Sequence, residues 1–281
     1  MNPKYPIYIP SKGRWNNGQT RKRFEEMNVP YYIVVEPQEY ELYANVIDKE
    51  KILVLPFSNL KQGSIPARNW IWEHAIKEGH ERHWIIDDNI IRFYRLNRNQ
   101  VIRVVDGTIF KCAEEFTNRY ENVALSGFNN IAFSRPNSEN VAPFQLNTRI
   151  YSITLILNSI PYRWRGRYNE DTDLSIRVLK DGLCTIQFNA FLADKATTMH
   201  MKGGNTDELY QDDGRLKMAE SLNKQHPHIT RVTQKWNRYQ HHVNYKPFRY
   251  NKLIKKKGLI IPKGINNYGM KLITIEGKEN K

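Results

Sequence analysis

Four short runs of β-branched and aromatic residues lie within the first 90 residues. They constrain the fold more than any other feature of the sequence. The runs lie at residues 6–10, 31–35, 52–55 and 83–86. They are apolar throughout rather than alternating, which is typical of strands buried on both faces of a parallel sheet. The intervening stretches 19–27, 38–47 and 65–77 have the spaced apolar residues of amphipathic helices. This order predicts an α/β domain built on βα units.

The pattern changes after residue 89. Residues 90–96 and 101–105 read as a hairpin, and strands are predicted at 123–128, 150–157 and 184–191. Helices are predicted at about 108–120, 172–179 and 206–222. Because a hairpin brings in antiparallel neighbours, we expect a mixed, Rossmann-like sheet flanked by helices.

Charge divides the 281-residue chain into two parts. The net charge is +14, and the stretch between Glu220 and Glu276 contains twelve Lys and Arg residues and no acid. We therefore predict a nearly neutral domain over residues 1–220 and a basic, aromatic-rich extension over 221–281. Cations interleaved with aromatic residues are typical of nucleic-acid contacts, although a solubilising face that packs on the main domain is the alternative. The candidate contacts are Lys235, Trp236, Arg238, Tyr239, Arg249, Lys255, Lys256 and Lys257.

Targeting and redox signals are weak. The apolar runs are shorter than the roughly 18 residues that span a bilayer, and the N-terminal residues have no apolar signal segment. We expect a cytoplasmic protein with no membrane partner. The two cysteines, Cys112 and Cys184, are isolated and are expected to be packing residues.

Three polar residues, Asp87, Asp88 and Asn89, directly follow the fourth apolar run. Open α/β sheets bind ligands at the carboxyl ends of their strands. Hard oxygen ligands of this kind suit Mg²⁺ or Mn²⁺ bridging a diphosphate. The alternative is a strand-ending turn, in which Asp and Asn are also favoured.

Three further positions could take part in chemistry. Arg68 lies in a helix start preceded by glycine and could grip a phosphate or carboxylate. Glu170 and Asp171 open a predicted helix, where the helix dipole alone could explain them. His200 and Lys202 fall in a glycine-containing turn, and a lone His is more often a satisfied surface residue than a ligand.

In this order the elements resemble a GT-A glycosyltransferase. The segments 8–14, 67–70, 84–90 and 169–173 more narrowly resemble the TET/JBP-associated glycosyltransferases of bacteriophages, over roughly residues 6–205. The resemblance implies a GT-A-like fold and metal-dependent transfer of a sugar from a UDP-sugar to a 5-hydroxymethylpyrimidine in DNA. 5-Hydroxymethylcytosine is the first expectation for that base, and a phage-encoded enzyme would act in the host cytoplasm.

The resemblance also implies roles for individual residues. Pro10, Ser11 and Arg14 would border the uridine site, Arg68 would hold the nucleotide, and Asp87 would face ribose or sugar. Asp88, Asn89 and His200 would approach Mn²⁺ or Mg²⁺, with Lys202 near the diphosphate. Asp171, or else Glu170, would be the general base of an inverting enzyme, whereas a retaining enzyme would require no such base. Asn89 stands where many GT-A enzymes have Asp, which leaves Asp88 and Asn89 as alternative ligands.

Three other functions use some of the same residues. A glycosyltransferase with a carbohydrate acceptor would need the acids but not the basic extension. A metal-dependent nuclease would need the carboxylates but no UDP-sugar, and a non-catalytic nucleic-acid-binding protein would need neither.

Overall fold

The parallel half of the sheet comes from the first 86 residues. The computed structural model describes residues 1–97, 100–133, 142–196, 214–235 and 238–260. Its first strands are β1 (Ile7–Pro10), β2 (Tyr32–Val35), β3 (Ile52–Val54) and β4 (Arg82–Ile86), which pair in parallel in the order β3-β2-β1-β4. Helices α1 (Gln19–Glu26), α2 (Tyr40–Ala44) and α3 (Ile65–Lys77) connect them. The predicted βα units are therefore confirmed.

Antiparallel strands complete a ten-stranded mixed sheet. The strands are β5 (Ile90–Asn97), β6 (Gln100–Arg103), β7 (Val123–Asn130), β8 (Phe144–Leu146), β9 (Ile153–Leu157) and β10 (Cys184–Lys195). The sheet order continues β4-β9-β7-β10-β5-β6, with β8 paired to β10. Since β9 is antiparallel to both β4 and β7, and β10 is parallel to β7, strands β4, β7 and β10 end at one edge of the sheet.

Both faces of the sheet carry a hydrophobic core. Helices α1, α2 and α4 (Thr108–Thr117) cover one face, where Phe24, Phe93 and Phe110 stack together. Helices α3, α5 (Glu170–Lys180) and α6 (Gly214–Gln225) cover the other face, around Trp72. Full burial of a phenylalanine contributes about 1.5–3 kcal/mol. The predicted fold class, a mixed sheet flanked by helices, is confirmed.

Several predicted elements differ in extent. The helix predicted over 38–47 is a 3₁₀ turn, Pro37–Glu39, followed by the single helical turn of α2. The strand predicted from residue 150 begins at Ile153, because Ser152 adopts a left-handed backbone with φ 64°. The helix predicted over 206–222 is described only from Gly214, as α6.

The basic segment forms a hairpin and then lies along the main domain. Strands β11 (Thr230–Lys235) and β12 (Arg238–Val243) pair with each other beside α6, a hairpin that the sequence analysis did not predict. The following 3₁₀ turn, Lys246–Tyr250, buries Phe248 in the core. Beyond it, the Asn251 side chain donates to the carbonyls of Leu179 and Leu183, both at 2.8 Å. Within the described residues, no helix is both long and apolar enough to cross a bilayer.

Candidate active site

The predicted triplet Asp87-Asp88-Asn89 lies at the edge where β4 ends. The Asp87 amide donates to the Ser152 carbonyl at 2.8 Å, so the left-handed turn before β9 holds the first residue of the triplet. The Thr20 hydroxyl of α1 donates to the Asp87 carbonyl at 2.5 Å and accepts from the Ile90 amide at 2.8 Å. The triplet is therefore held by α1 and by the turn before β9.

Arg68 connects the two predicted acidic motifs. Its buried guanidinium donates to Asp171 Oδ1 at 2.8 Å and to Asp87 Oδ1 at 3.0 Å, and it lies 4.0 Å from Glu170 Oε1. The guanidinium also lies 4.7 Å from the centroid of the Trp164 ring. Burial alone would lower the pKa of Arg68, but the surrounding carboxylates raise it, so the group stays charged. The structure thus brings Arg68, Asp87, Glu170 and Asp171 together.

Lys195 is a further charged residue of the site, and the sequence analysis missed it. The predicted strand stopped at residue 191, whereas β10 runs on to Lys195 with a register shift between Asp194 and Lys195. Bulges of this kind re-aim side chains. The Lys195 ammonium donates to Asp87 Oδ2 at 2.7 Å and to Ser152 Oγ at 2.9 Å. Burial would raise the pKa of Asp87, but Lys195 and Arg68 together hold it below its usual value.

The second acid of the triplet, Asp88, faces the residues predicted to border the nucleotide. Arg14 forms an ion pair with Asp88 Oδ1, and Ser11 Oγ donates to Asp88 Oδ2 at 2.8 Å. The Tyr43 hydroxyl lies 2.7 Å from Ser11 Oγ and accepts from the Arg14 amide at 3.2 Å. Pro10, which ends β1, precedes this cluster directly. The structure therefore brings Ser11 and Arg14 into contact with the triplet.

The side chain of Asn89 has a buried oxygen that a bound cation would explain. Its side-chain oxygen Oδ1 is buried and has no hydrogen-bond partner among the described residues. A buried oxygen of this kind is costly unless a water or an ion satisfies it. In the described part of the chain, no three His, Cys, Asp or Glu residues cluster as a complete metal site. Mg²⁺ is commonly held by one or two protein oxygens plus substrate phosphates, so the Asn89 oxygen suits such an ion, whereas both Asp88 oxygens already accept from Arg14 and Ser11.

Asp171 is a carboxylate whose pKa lies well above its usual value. It lies in the first turn of α5, after Asn169, whose backbone is left-handed with φ 55°. Burial, together with the charges of Glu170 and Asp87, raises the pKa of Asp171 to about 7, and Arg68 and Lys195 limit the rise. One fifth of the side chain remains exposed, so a substrate hydroxyl can reach it. Glu170 accepts a longer hydrogen bond, 3.4 Å, from Ser64.

Comparison with known families identifies the chain. The sequence profile of the TET-associated glycosyltransferases, abbreviated TAGT, matches residues 5–204. The chain belongs to this family. It is therefore a glycosyltransferase, as the motifs predicted.

Among solved structures, a nucleotide-diphospho-sugar transferase from Desulfovibrio desulfuricans G20 is similar to this TAGT protein. The TM-score is 0.38 at 8% sequence identity, over 66% of this chain and 80% of that chain. Among proteins of curated function, none matches the sequence.

Some predicted residues of this glycosyltransferase lie away from the triplet or outside the described ranges. His200, Lys202 and Trp236 fall outside the described residues. Lys235, Arg238 and Tyr239 flank the turn of the β11–β12 hairpin, and Arg249 lies in the following 3₁₀ turn.

The lysines 255–257 lie near the beginning of β4. Lys256 pairs with Glu81 at 3.2 Å, and Lys255 bridges to Tyr120. Glu81 directly precedes β4, whereas the triplet follows it. These lysines are therefore at the opposite edge of the sheet from Asp87.

Proposed function

We propose that this glycosyltransferase moves a sugar from a UDP-sugar to the hydroxymethyl group of a 5-hydroxymethylpyrimidine in DNA, in the cytoplasm. The observation that carries the proposal is the Arg68 bridge. It joins Asp87, on the predicted donor side, to Asp171, whose pKa of about 7 suits a general base. 5-Hydroxymethylcytosine is the acceptor to test first.

The donor nucleotide is assigned to the edge beside β1. Ser11, Arg14 and Asp88 form one hydrogen-bonded cluster there, at the carboxyl ends of parallel strands, where α/β sheets bind nucleotides. Asp87 lies between this cluster and Asp171, which suits contact with the ribose or the transferred sugar. Lys202, beside the diphosphate, and His200, as a late metal ligand, remain predictions from the family resemblance.

A divalent cation is proposed at Asp88 and Asn89. The unpartnered Oδ1 of Asn89 would supply one oxygen ligand for Mn²⁺ or Mg²⁺, and the adjacent Asp88 carboxylate, which pairs with Arg14 without the ion, would supply a second. When bound, the ion would offset the negative charge that develops on the departing UDP.

The acceptor side supplies the base. Asp171 takes the proton of the acceptor hydroxyl as its oxygen bonds to the anomeric carbon of the sugar. The bond between that carbon and the diphosphate oxygen breaks, and UDP leaves with the electron pair. Arg68 keeps the Asp171 carboxylate in place through the 2.8 Å hydrogen bond. Direct displacement of this kind inverts the anomeric configuration.

The basic segment supports a polyanionic acceptor. Its twelve cations occur without a single acid between Glu220 and Glu276. The β11–β12 hairpin presents Lys235, Arg238 and the half-exposed ring of Tyr239 around its turn. Cations bind phosphates, and aromatic rings can stack on unpaired bases. A free oligosaccharide acceptor would have no use for this surface.

Mass spectrometry of the acceptor tests the proposal. An oligonucleotide containing 5-hydroxymethylcytosine is incubated with the protein, Mn²⁺ and a panel of UDP-sugars, beside the same oligonucleotide with unmodified cytosine. We expect the mass of one transferred sugar on the hydroxymethylated strand alone, and no transfer by the Asp88→Ala variant.

Two results would contradict the proposal. Transfer to an oligosaccharide, with neither strand modified, would move the acceptor class to carbohydrate. Full transfer in EDTA, or full activity of Asp88→Ala, would remove the metal assignment.

A further inference from the structure

Arg149 is a partly exposed cation between the basic hairpin and the candidate active site. It belongs to a connecting segment, residues 147–152, that runs from the end of β8 to the beginning of β9. The Asn147 side chain donates to the carbonyl of Phe248 at 2.9 Å and to that of Asn251 at 2.8 Å. The connecting segment is therefore bound to the part of the chain that follows the hairpin.

The same segment is bound to the first turn of α5. The Ile150 amide donates to Ser175 Oγ at 3.1 Å, and that hydroxyl donates to the Asp171 carbonyl at 2.8 Å. Ile150 directly follows Arg149. Two successive hydrogen bonds thus connect the neighbour of Arg149 to the backbone of the proposed general base.

The Arg149 guanidinium is held in place but is not neutralised. It lies 4.7 Å from the centroid of the Tyr151 ring, and its charge opposes the rise that burial produces in the pKa of Tyr151. Among the described residues, no carboxylate forms an ion pair with Arg149. Arg68 and Lys195, in contrast, each pair with an acid of the site. Because a guanidinium has five N–H donors in a fixed fork, contact with one tyrosine leaves most of them for an anion.

The hairpin continues the positive surface from Arg149. Burial, and next the charge of Arg149, lower the pKa of His241 on β12 to about 4, so the two side chains lie close together. His241 is three residues from Arg238 at the hairpin turn, which is about 10 Å at about 3.3 Å per residue. The nucleotides of a DNA strand rise by about 3.4 Å each, so this spacing matches about three nucleotides. Arg149 and the hairpin turn can therefore face phosphates of the same strand.

The sheet order places Arg149 on the acceptor side. Strand β1, whose end carries the donor cluster of Ser11 and Arg14, pairs with one side of β4. Strand β9, which follows the connecting segment, pairs with the other side of β4. A phosphate bound by Arg149 therefore fits the acceptor better than the diphosphate of the donor.

We propose that Arg149 binds a backbone phosphate of the acceptor strand, beside the nucleotide whose hydroxymethyl group faces Asp171. The inference rests on the proposed function, because it specifies how that site holds its DNA acceptor. A guanidinium pairs with a phosphate through two parallel hydrogen bonds, and phosphate contacts fix the register and orientation of a strand. Arg149 is therefore a binding residue that selects which nucleotide reaches Asp171, and a free nucleoside would lack the contact.

Strands with single neutral phosphates test this contact. Short strands carry one 5-hydroxymethylcytosine, with a methylphosphonate on its 5′ side, on its 3′ side or on neither. For the wild type, we expect one of the two substitutions to lower kcat/KM for sugar transfer about 10- to 100-fold, the usual contribution of a hydrogen bond to a charged group. Arg149→Ala should show that loss on the unsubstituted strand and no further loss on the substituted one, because the contact is already absent.

Binding supplies a measurement that needs no sugar transfer. The Kd of the same strands for the full-length protein, measured by fluorescence anisotropy without donor, should follow the same pattern. The Kd of UDP should be unchanged in Arg149→Ala, which also shows that the variant is folded. Arg149→Lys keeps the charge but not the fork, and its Kd for the unsubstituted strand should lie between those of the wild type and Arg149→Ala.

Arg119→Ala is the matched control. The Arg119 guanidinium also lies over an aromatic ring, 5.4 Å from the centroid of Phe116. Its carbonyl accepts from the Lys256 amide at 2.9 Å, so Arg119 lies at the opposite edge of the sheet from Asp171. This variant loses the same charge as Arg149→Ala and should match the wild type on every strand.

The outcomes separate the two proposals. Equal losses from the methylphosphonates in the wild type and in Arg149→Ala would overturn the phosphate contact and leave the proposed function intact. Weaker UDP binding by Arg149→Ala, with DNA binding unchanged, would do the same by moving Arg149 to the donor. Coupling between Arg149 and one phosphate in the Kd measurements, without sugar transfer from any UDP-sugar, would uphold the contact and overturn the proposed function.

Discussion

Arg68 forms ion pairs with two carboxylates, Asp87 and Asp171, and this shared cation affects the chemistry available to each acid. Its guanidinium bonds Asp87 and Asp171 at similar distances, 3.0 and 2.8 Å. Asp87 also has Lys195, so its pKa stays below the usual value, whereas Asp171 has Glu170 as a neighbour and its pKa rises. Two acids held by one cation are thereby separated into an ionised group and a group that can exchange a proton.

Replacing Asp171, the proposed general base, tests whether the two acids differ in this way. Asp171→Asn should lower kcat about 10²- to 10⁴-fold, the usual contribution of a general base, with the Kd of the UDP-sugar unchanged. In the wild type, kcat/KM should fall as the pH drops through about 7, because Asp171 then takes up a proton. The Asp171→Asn variant should not show this fall of kcat/KM at low pH. Glu170→Gln is the control, and a larger loss there would assign the base to Glu170.

Replacing Lys195 should shift the acidic limb of the kcat/KM pH profile without abolishing activity. Lys195 lowers the pKa of Asp171, so its removal in Lys195→Met should raise that pKa and shift the acidic limb of kcat/KM to higher pH. Lys195→Arg keeps the charge and should keep the limb in place. Equal losses at every pH in Lys195→Met, with the limb unmoved, would show that Lys195 only supports the local structure.

At the scale of the elements, the sequence predicted strands best where both faces are buried. Strands β1 to β4 lie within about two residues of their predicted ends, because continuous apolar runs have few other stable arrangements. The β11–β12 hairpin was missed because its residues are mostly polar and rest on α6 rather than in the core.

The sequence predicted only part of the candidate site. The acids and Arg68 carry chemical signals in the sequence, so they could be named individually. Whether Arg68 and the acids come into contact depends on where helices α3 and α5 pack. Lys195 carried no such signal, because a strand extension with a bulge brings it to the edge.

The segment after the hairpin should stabilise the main domain. Asn251 links it to the end of α5 through two 2.8 Å hydrogen bonds to carbonyls. Asn251→Ala should therefore lower the free energy of unfolding by about 1–3 kcal/mol, since it removes two hydrogen bonds that contribute about 0.5–1.5 kcal/mol each. Urea unfolding measures this, with the exposed Asn45→Ala as a control expected to stay within about 0.5 kcal/mol. An unchanged midpoint for Asn251→Ala would show that the segment is not held there.

At the scale of the whole molecule, the positive charge occupies two separate places. The hairpin packs on α6, whose Met218 carbonyl accepts from the Asn169 side chain two residues before Asp171, whereas lysines 255–257 lie beside Glu81, before β4. The five residues of β4 lie between Glu81 and Asp87, so these two residues are about 20 Å apart at about 3.3 Å per residue step. A DNA strand that reaches Asp171 therefore meets the hairpin more readily than the lysines.

Two double variants that remove equal charge test this arrangement. Lys235→Gln with Arg238→Gln should raise the KM for DNA and flatten the dependence of log affinity on log salt by up to about 1.8, since each lost phosphate contact removes about 0.9. Lys255→Gln with Lys257→Gln should change both quantities less. Because both variants lose the same net charge, a general electrostatic attraction would affect them equally. A larger effect of the second variant would place the DNA path across the β4 beginning instead, and the hairpin would then serve only the fold.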